Sequence, residues 1–227
     1  MLALKQALSL PSLKKIGAWT PPSISSLVAW YKNKEGIDIT GTDVSGWLDS
    51  SNNSYDMAQA TASEMPAYDV STGALTFVSA NTQNLQTTGQ ISLTGDFTLG
   101  LRINTSTTNG SFLADNTTAN EFFKYSSSTR ILFKIAGSSS TALDLDSGTF
   151  GDDYIIITRV SNVLTLWQNG VAQTATTPTV VGTSLIDVIG LRRVDLNGFD
   201  GTIKEILIYS VASPVLTGQL NTRLASI

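Results

Sequence analysis

Short runs of alternating apolar and polar residues follow one another along most of this chain. The clearest run spans residues 97–103, where Phe97, Leu99, Leu101 and Ile103 are separated by Thr, Gly and Arg. A period of two over that length indicates a β-strand with one face in a core. Further strands are predicted at 27–31, 44–49, 74–78, 84–86, 121–125, 130–135, 154–160, 163–168, 171–172, 185–191 and 199–209.

Local signals predict how some of these strands are joined. Asn169-Gly170 between two strand-like runs is a strong hairpin signal, because a type I′ turn needs positive φ at both central residues. Residues 126–129 predict a second hairpin with a four-residue loop. A helix is predicted at the C-terminus, where Ser213 can cap it and Pro214 can occupy its first turn.

Many short strands, almost no helix and no repeat period favour an all-β fold, an antiparallel β-sandwich or jelly roll. The predicted division is an N-terminal arm and linker at 1–25 and one domain at 26–227. Pro11 would end a short helix in the arm. A frayed terminus and a docking arm are both open interpretations, and docking would use the following five residues: Leu4, Lys5, Leu8, Lys14 and Lys15.

Composition excludes several kinds of chemistry. The sequence has no histidine and no cysteine, so disulfides, thiolate zinc sites and histidine-based catalysis are ruled out. Five of the 14 Lys and Arg residues lie in the first 34 residues, which contain no acid, so the remainder carries nine basic and 18 acidic residues. A basic arm thus precedes an acidic body, and we expect no nucleic-acid partner.

The sequence also bears on membranes and export. No apolar run approaches the roughly 18 residues that span a bilayer, so we expect no membrane partner. Lys5 interrupts any hydrophobic stretch of a signal peptide, and Lys14 and Lys15 stand where a small-residue cleavage site would be. We therefore expect no export by the usual route.

Several segments together resemble a known family. The segments 27–31, 44–49 and 75–77 resemble the entry region of concanavalin A-like, laminin-G-type jelly rolls, and 166–171, 189–191 and 199–209 resemble the family's hairpin and final strands. The resemblance covers about residues 27–224 and implies a lectin-like sandwich. One departure is the usual Asp-x-Ser-Gly-x-Gly loop, which here reads Asp-Ser-Ser-Asn-Asn at 49–53. The family includes lectins, glycosidases, adhesion modules and structural parts.

Two loops contain the parts of a sugar site, which needs an aromatic platform together with amides or carboxylates. Tyr55 beside Asn52 and Asn53 forms one candidate. The second candidate is the loop before the last strand, and its proposed ligand-binding residues are Arg192, Asp195 and Asn197. Polar loops of this kind also occur without a ligand.

The acids do not form a recognisable catalytic set. Glycosidases of this fold class place paired carboxylates on alternate positions of one strand, and no such run is present. We assign turn or surface roles to five acids: Asp144, Asp146, Asp152, Asp153 and Glu205. Calcium on Asp144, Asp146 and Asp152 is the alternative, although their spacing is not that of an EF-hand. We predict no catalytic residue, metal or cofactor.

These observations lead to two functional hypotheses. A lectin-like fold without an export signal or disulfides is typical of a virion protein, which is made in a host cytoplasm and released by lysis. The first hypothesis is a non-enzymatic structural module of a phage-type virion, such as a capsid decoration or a fibre component. Its arm would dock on other virion proteins, and assembly into a homo-oligomer is compatible with this hypothesis. The alternative is a carbohydrate-binding adhesin on a tail or cell surface, whose partner is a cell-surface glycan.

Overall fold

The computed structural model describes residues 20–21, 25–105, 109–116, 121–135, 140–177, 179–192 and 198–227. Within these residues the first nine strands are β1 Leu27–Tyr31, β2 Ile37–Thr40, β3 Asp43–Trp47, β4 Met57–Ala58, β5 Ala67–Asp69, β6 Ala74–Phe77, β7 Leu85–Leu93, β8 Phe97–Thr105 and β9 Gly110–Ala114. They are followed by β10 Phe122–Ser127, β11 Arg130–Lys134, β12 Thr141–Asp144, β13 Asp152–Val160, β14 Val163–Gln168, β15 Val171–Thr176, β16 Ser184–Ile189 and β17 Gly201–Tyr209. One helix, α1 Pro214–Leu224, ends the chain, and short 3₁₀ turns lie at Ala62–Glu64 and Ser79–Asn81.

The strands are antiparallel and form two layers. The front sheet runs β4-β7-β16-β9-β10-β11-β12. In the back sheet, β17 pairs with β1 and β6 on one side and with β8 on the other, and β13, β14 and β15 follow. β3 and β5 connect the layers, because β3 pairs with both β4 and β5. The chain is thus an antiparallel β-sandwich, as the sequence predicts.

The main core lies between the sheets. β8 and β13 each send alternate residues into it, including Leu99, Leu101, Ile155 and Ile157, which are fully buried. Ile156, between the last two, packs in a second cluster under helix α1. The nearly continuous apolar run at 154–160 predicts this arrangement, because β13 is covered on both faces.

Helix α1 covers the outer face of the back sheet. Ser213 caps it as predicted, accepting a hydrogen bond from the Leu216 backbone N–H at 3.1 Å, and Pro214 is its first residue. Leu216, Leu220 and Leu224 are buried against the sheet. No helix in the described part of the chain is long and apolar enough to cross a membrane.

Two local predictions need correction. The hairpin between β10 and β11 has a tighter turn than a four-residue loop, because the strands pair up to Ser127 and Arg130. Strict alternation along 199–209 also predicts that Ile203 lies on the face of β17 opposite Ile206, but both lie in the main core. The reason is a β-bulge, since pairing with β8 shifts by one residue between Ile203 and Glu205.

Candidate functional site

The outer face of the front sheet is polar where β7 crosses it. Leu85, Ile91 and Leu93 point into the core, so the residues that alternate with them, including Gln86 and Gln90, face outwards. Helix α1 packs on the opposite sheet. The outer face of the front sheet therefore presents side-chain amides on a rigid support.

A shallow groove of about 470 Å³ lies at the β4 side of this face. The groove is lined by Ala58, Gln59, Ala60, Asn84, Gln86, Thr87 and Thr88. Its amides have internal partners: Gln59 Nε2 donates to Glu64 Oε2 at 3.2 Å, and Asn84 Nδ2 donates to the Thr82 carbonyl at 2.9 Å. Amides and hydroxyls fixed in this way can both donate to and accept from a ligand's hydroxyl groups.

Two buried carboxylates adjoin the groove. Asp115 is 0% exposed and Asp187 is 2% exposed. Asn116 joins them to the groove, because its backbone N–H donates to Asp187 Oδ1 at 2.6 Å and its Nδ2 donates to Gln86 Oε1 at 3.2 Å. Gln90 Nε2 donates to Asp115 Oδ1 at 2.9 Å. The carboxylates therefore orient the amides of this face.

The two acids differ from ordinary surface aspartates. The pKa of Asp187 is raised to about 6, chiefly by burial and also by the neighbouring charge of Asp115, while the hydrogen bond from the Asn116 backbone N–H acts in the opposite direction. Two neighbouring carboxylates are the parts of a two-carboxylate mechanism. Here, however, both side chains are shielded from solvent, which suits a positioning role better than contact with a substrate.

The β10–β11 end of the same face carries positive charge. Arg192 and Lys124 both lie over the ring of Phe122, with Arg192 Cζ at 4.3 Å and Lys124 Nζ at 5.5 Å from its centre. Phe122 packs in a small outer cluster with Leu132. Arg192, one of the predicted ligand-binding residues, is thus part of this face.

The loop that precedes Tyr55 is organised by Asp49. Asp49 Oδ1 accepts from the backbone N–H groups of Trp30 at 2.9 Å and Ser51 at 2.8 Å. Its Oδ2 accepts from the Ser51 hydroxyl at 2.7 Å and from the Tyr55 backbone N–H at 3.2 Å. The carboxylate therefore holds the loop without the glycines of the usual motif.

The predicted sugar-binding residues of this loop contribute to its own structure. Asn53 Nδ2 donates to the carbonyls of Leu27 and Val28 at 3.0 and 2.9 Å, which ties the loop to β1. Asn52 is exposed and has φ 75°, and Tyr55 is half-buried against the core. Binding at this loop stays a prediction.

The remaining predicted site residues lie outside the described part of the chain. These are Asp195 and Asn197 of the second loop and Leu4, Lys5, Leu8, Lys14 and Lys15 of the arm.

The acids given turn or surface roles divide into two groups. Asp144 pairs with Arg130 at the surface, and Asp152, 57% exposed, pairs with Arg102. Asp146 is exposed and accepts from Thr174. The predicted role was wrong for Glu205, which is fully buried within β17, and the surface part of the prediction was wrong for Asp153, which is 4% exposed.

The two buried acids have protein partners that explain their burial. Glu205 forms two hydrogen bonds of 2.8 Å with the Arg223 guanidinium. Asp153 accepts from the Gly151 backbone N–H and from Asn169 Nδ2, and so braces the β14–β15 hairpin.

The described residues do not form the calcium site that was the alternative for Asp144, Asp146 and Asp152. Asp144, Asp146 and Asp152 each bond a different partner, namely Arg130, Thr174 and Arg102. Across the ranges given above, no three Asp or Glu side chains are grouped as metal ligands would be.

Most side chains of this polar face were not predicted from the sequence. Gln86, Thr88 and Gln90 alternate in the sequence, but the predicted strand ended at Gln86. Asp187 is the single charged residue in the apolar run 185–191, a signal that points to a buried carboxylate needing partners. Its partner Asn116 lies 71 residues away in the sequence, next to Asp115, so no local pattern joins them.

Solved structures with similar folds are lectin-like sandwiches and binding domains. The binding domain of Paraclostridial Mosquitocidal Protein 1 has a TM-score of 0.62 at 12% identity, over 91% of this chain and 53% of that one. A native heptameric SAP-like pentraxin from Limulus polyphemus has a TM-score of 0.51 at 14% identity, over 62% of this chain and 75% of that one. A Trypanosoma rangeli sialidase has a TM-score of 0.55 at 10% identity, over 89% of this chain and 33% of that one.

These comparisons define a fold. This chain spans about half the length of the mosquitocidal binding domain and a third of the sialidase. No protein-family model matches the sequence, and no curated protein sequence is significantly similar to it. The chain is an antiparallel β-sandwich domain of the jelly-roll type.

Proposed function

We propose that this chain is a non-enzymatic carbohydrate-binding domain and that the outer face of the front sheet is its site. The observation that carries the proposal is the amide-lined groove on that face, which the Asn116–Gln86 hydrogen bond joins to the buried carboxylates. Sugar hydroxyls require several donors and acceptors at once, and Gln86, Gln59 and Thr88 in the groove lining supply them.

The fold comparison is compatible with a recognition role. The similar mosquitocidal structure is a binding domain, so this architecture serves binding in at least one protein. Within the described residues, the acids best placed for catalysis are Asp115, Asp187 and Glu205, and all three are buried among protein partners. The absence of histidine and cysteine from the sequence removes the commonest alternatives to carboxylate chemistry.

A glycan array probed with the full chain tests the proposal, followed by titration of the strongest ligand. Gln86→Ala should weaken binding about tenfold or more, since it removes an amide in the groove and releases Asn116. Gln219→Ala, on helix α1 over the opposite sheet, is the matched control and should bind as the parent does. An array without any ligand, or equal loss in both variants, would refute the proposal.

Placement in a virion stays a prediction. It depends on docking through residues 1–25, most of which lie outside the described part of the chain. None of the three similar structures named above is a virion protein. Glycan binding and virion assembly are compatible in a tail adhesin, and mass spectrometry of purified particles tests the assembly half of that combination.

A further inference from the structure

Positive charge collects on the outer face of β10 and β11, although the chain as a whole is acidic. Beyond residue 34 the sequence has nine basic and 18 acidic residues. Three of those nine, Lys124, Lys134 and Arg192, belong to this face. The nearby Arg130 is paired with Asp144 across β11 and β12. These three side chains therefore form a local cluster of positive charge at the β10–β11 end of the face, beside the buried acids Asp115 and Asp187.

Strand register places the two lysines on one surface. Lys134 lies opposite Phe122, and Lys124 lies opposite Leu132. The intervening residues of both strands, such as Phe123 and Phe133, point into the core, so these four side chains share the outer face. Directly opposed residues have Cβ atoms about 5 Å apart. The result is a block of four side chains with cations at two diagonal corners and apolar groups at the others.

The aromatic ring fixes the positions of two charges. Phe122 is 3% exposed because Arg192 and Lys124 cover it, at 4.3 and 5.5 Å from the ring centre. Cation–π attraction favours both side chains in these positions. Lys124 Nζ also donates to Asn109 Oδ1 at 3.2 Å. The cations are thus held before any ligand arrives, which lowers the entropy cost of binding one.

We infer that this cationic face binds the carboxylate groups of acidic glycans, so that the site prefers carboxylated sugars to neutral ones. The inference rests on the proposed function and names its ligand class. A guanidinium matches a carboxylate with two parallel hydrogen bonds, and a lysine adds a point charge. Half-buried Leu132 offers an apolar surface beside them for the C–H groups of a sugar ring.

Charge balance favours an acidic sugar over nucleic acid as the occupant. Nucleic-acid binding at physiological salt commonly draws on about 6–10 phosphate contacts. This face supplies three cations besides the Arg130–Asp144 pair, and a long polyanion would extend beyond them over an acidic body. One or two uronic acid units match the size of the block.

The test is binding of the full chain to immobilised polygalacturonate, with neutral galactan, dextran sulfate and single-stranded DNA as comparison ligands. Lys124→Gln/Lys134→Gln should weaken polygalacturonate binding about tenfold, and raising the salt concentration should weaken binding of the parent. Lys34→Gln/Lys204→Gln removes the same net charge elsewhere, on the turn after β1 and on β17, and should change affinity less than about twofold. Lys124→Arg/Lys134→Arg keeps the charge and should retain binding, provided that circular dichroism shows a folded domain.

Several outcomes overturn this inference. Equal loss in the Lys34/Lys204 control would mean that only net charge matters. Equal or tighter binding to DNA or dextran sulfate would refute the preference for carboxylates. Binding to galactan but not to polygalacturonate would refute the inference while leaving the proposed function standing. If the chain bound none of these ligands and no glycan on the array, both the inference and the proposed function would be refuted.

Discussion

Replacement of Glu205 by glutamine tests whether this buried acid is structural. In the native domain Glu205 receives two hydrogen bonds from Arg223, one from Trp30 Nε1 at 3.0 Å and one from the Asn33 backbone N–H at 3.2 Å. Glutamine would remove the negative charge and replace one acceptor oxygen by a donor. That donor would face groups that are themselves donors. The pair joins helix α1 to β17 and to the end of β1, so its loss should weaken the packing of the helix.

The expected cost follows from the burial of the two partners. Breaking a buried ion pair by removing one member costs about 3–5 kcal/mol. The Glu205 side chain is fully buried, but the Arg223 side chain is 25% exposed, so water can solvate part of the remaining charge. We therefore expect a loss of about 2–4 kcal/mol in the free energy of unfolding. For a domain of this size, that loss lowers Tm by about 4–16 °C.

Urea unfolding followed by circular dichroism and tryptophan fluorescence measures this cost. Glu35→Gln is the matched control, because Glu35 is 58% exposed and pairs with Lys32 at the surface, and its loss should cost less than about 0.5 kcal/mol. Adding Arg223→Gln to Glu205→Gln should cost less than the sum of the single changes. If the Glu205→Gln variant were as stable as the parent, or if the effects of the two changes were strictly additive, a structural role for the ion pair would be refuted.

Three further predictions concern stability. The raised pKa of Asp187 beside Asp115 makes native stability fall as pH rises from about 4 to 6. Asp187→Asn should therefore stabilise the domain by about 1–3 kcal/mol above pH 6 and have no effect below pH 4, which measurement of Tm across pH tests. Arg159→Leu should cost about 2–4 kcal/mol in urea unfolding, since this fully buried guanidinium donates to three backbone carbonyls that would lose their partner. Gly201→Ala should lower the free energy of unfolding by about 2 kcal/mol or more in the same assay. The added Cβ would lie 2.1 Å from the Asn104 carbonyl oxygen, and the φ of residue 201 is 153°, which favours glycine.

Local chemistry made much of the fold predictable from the sequence. Asn169 and Gly170 have φ of 50° and 83°, as the hairpin prediction requires. Ser213 and Pro214 mark the start of helix α1 for equally local reasons, a side-chain acceptor and a missing N–H. Each of these signals is contained within a few neighbouring residues.

Features that depend on distant residues were not predictable in the same way. The bulge near Lys204 reverses the face on which Ile203 lies, and it falls where the partner of β17 changes from β6 to β1 on one side while β8 continues on the other. Glu205 is buried because Arg223 reaches it from the helix. A lone carboxylate in an apolar strand indicates that a partner exists, but the sequence does not name it.

The candidate site was the least predictable part for the same reason. Arg192 was identified from its loop, but its position over Phe122 arises from the pairing of β16, β9 and β10. The groove arises where β4 pairs with β7, which places Ala58 opposite Gln86 and brings the adjoining Gln59 into the same groove. Amides are common in loops and strands alike, so composition alone does not indicate which of them converge.

A crystal structure of the domain with its strongest glycan ligand tests the central claim most directly. Our account predicts the sugar on the outer face of the front sheet, in contact with Gln86 and with an acidic group directed to Lys124 and Arg192. A sugar bound instead at the Asn52–Tyr55 loop, or on the helix α1 side of the sandwich, would contradict it.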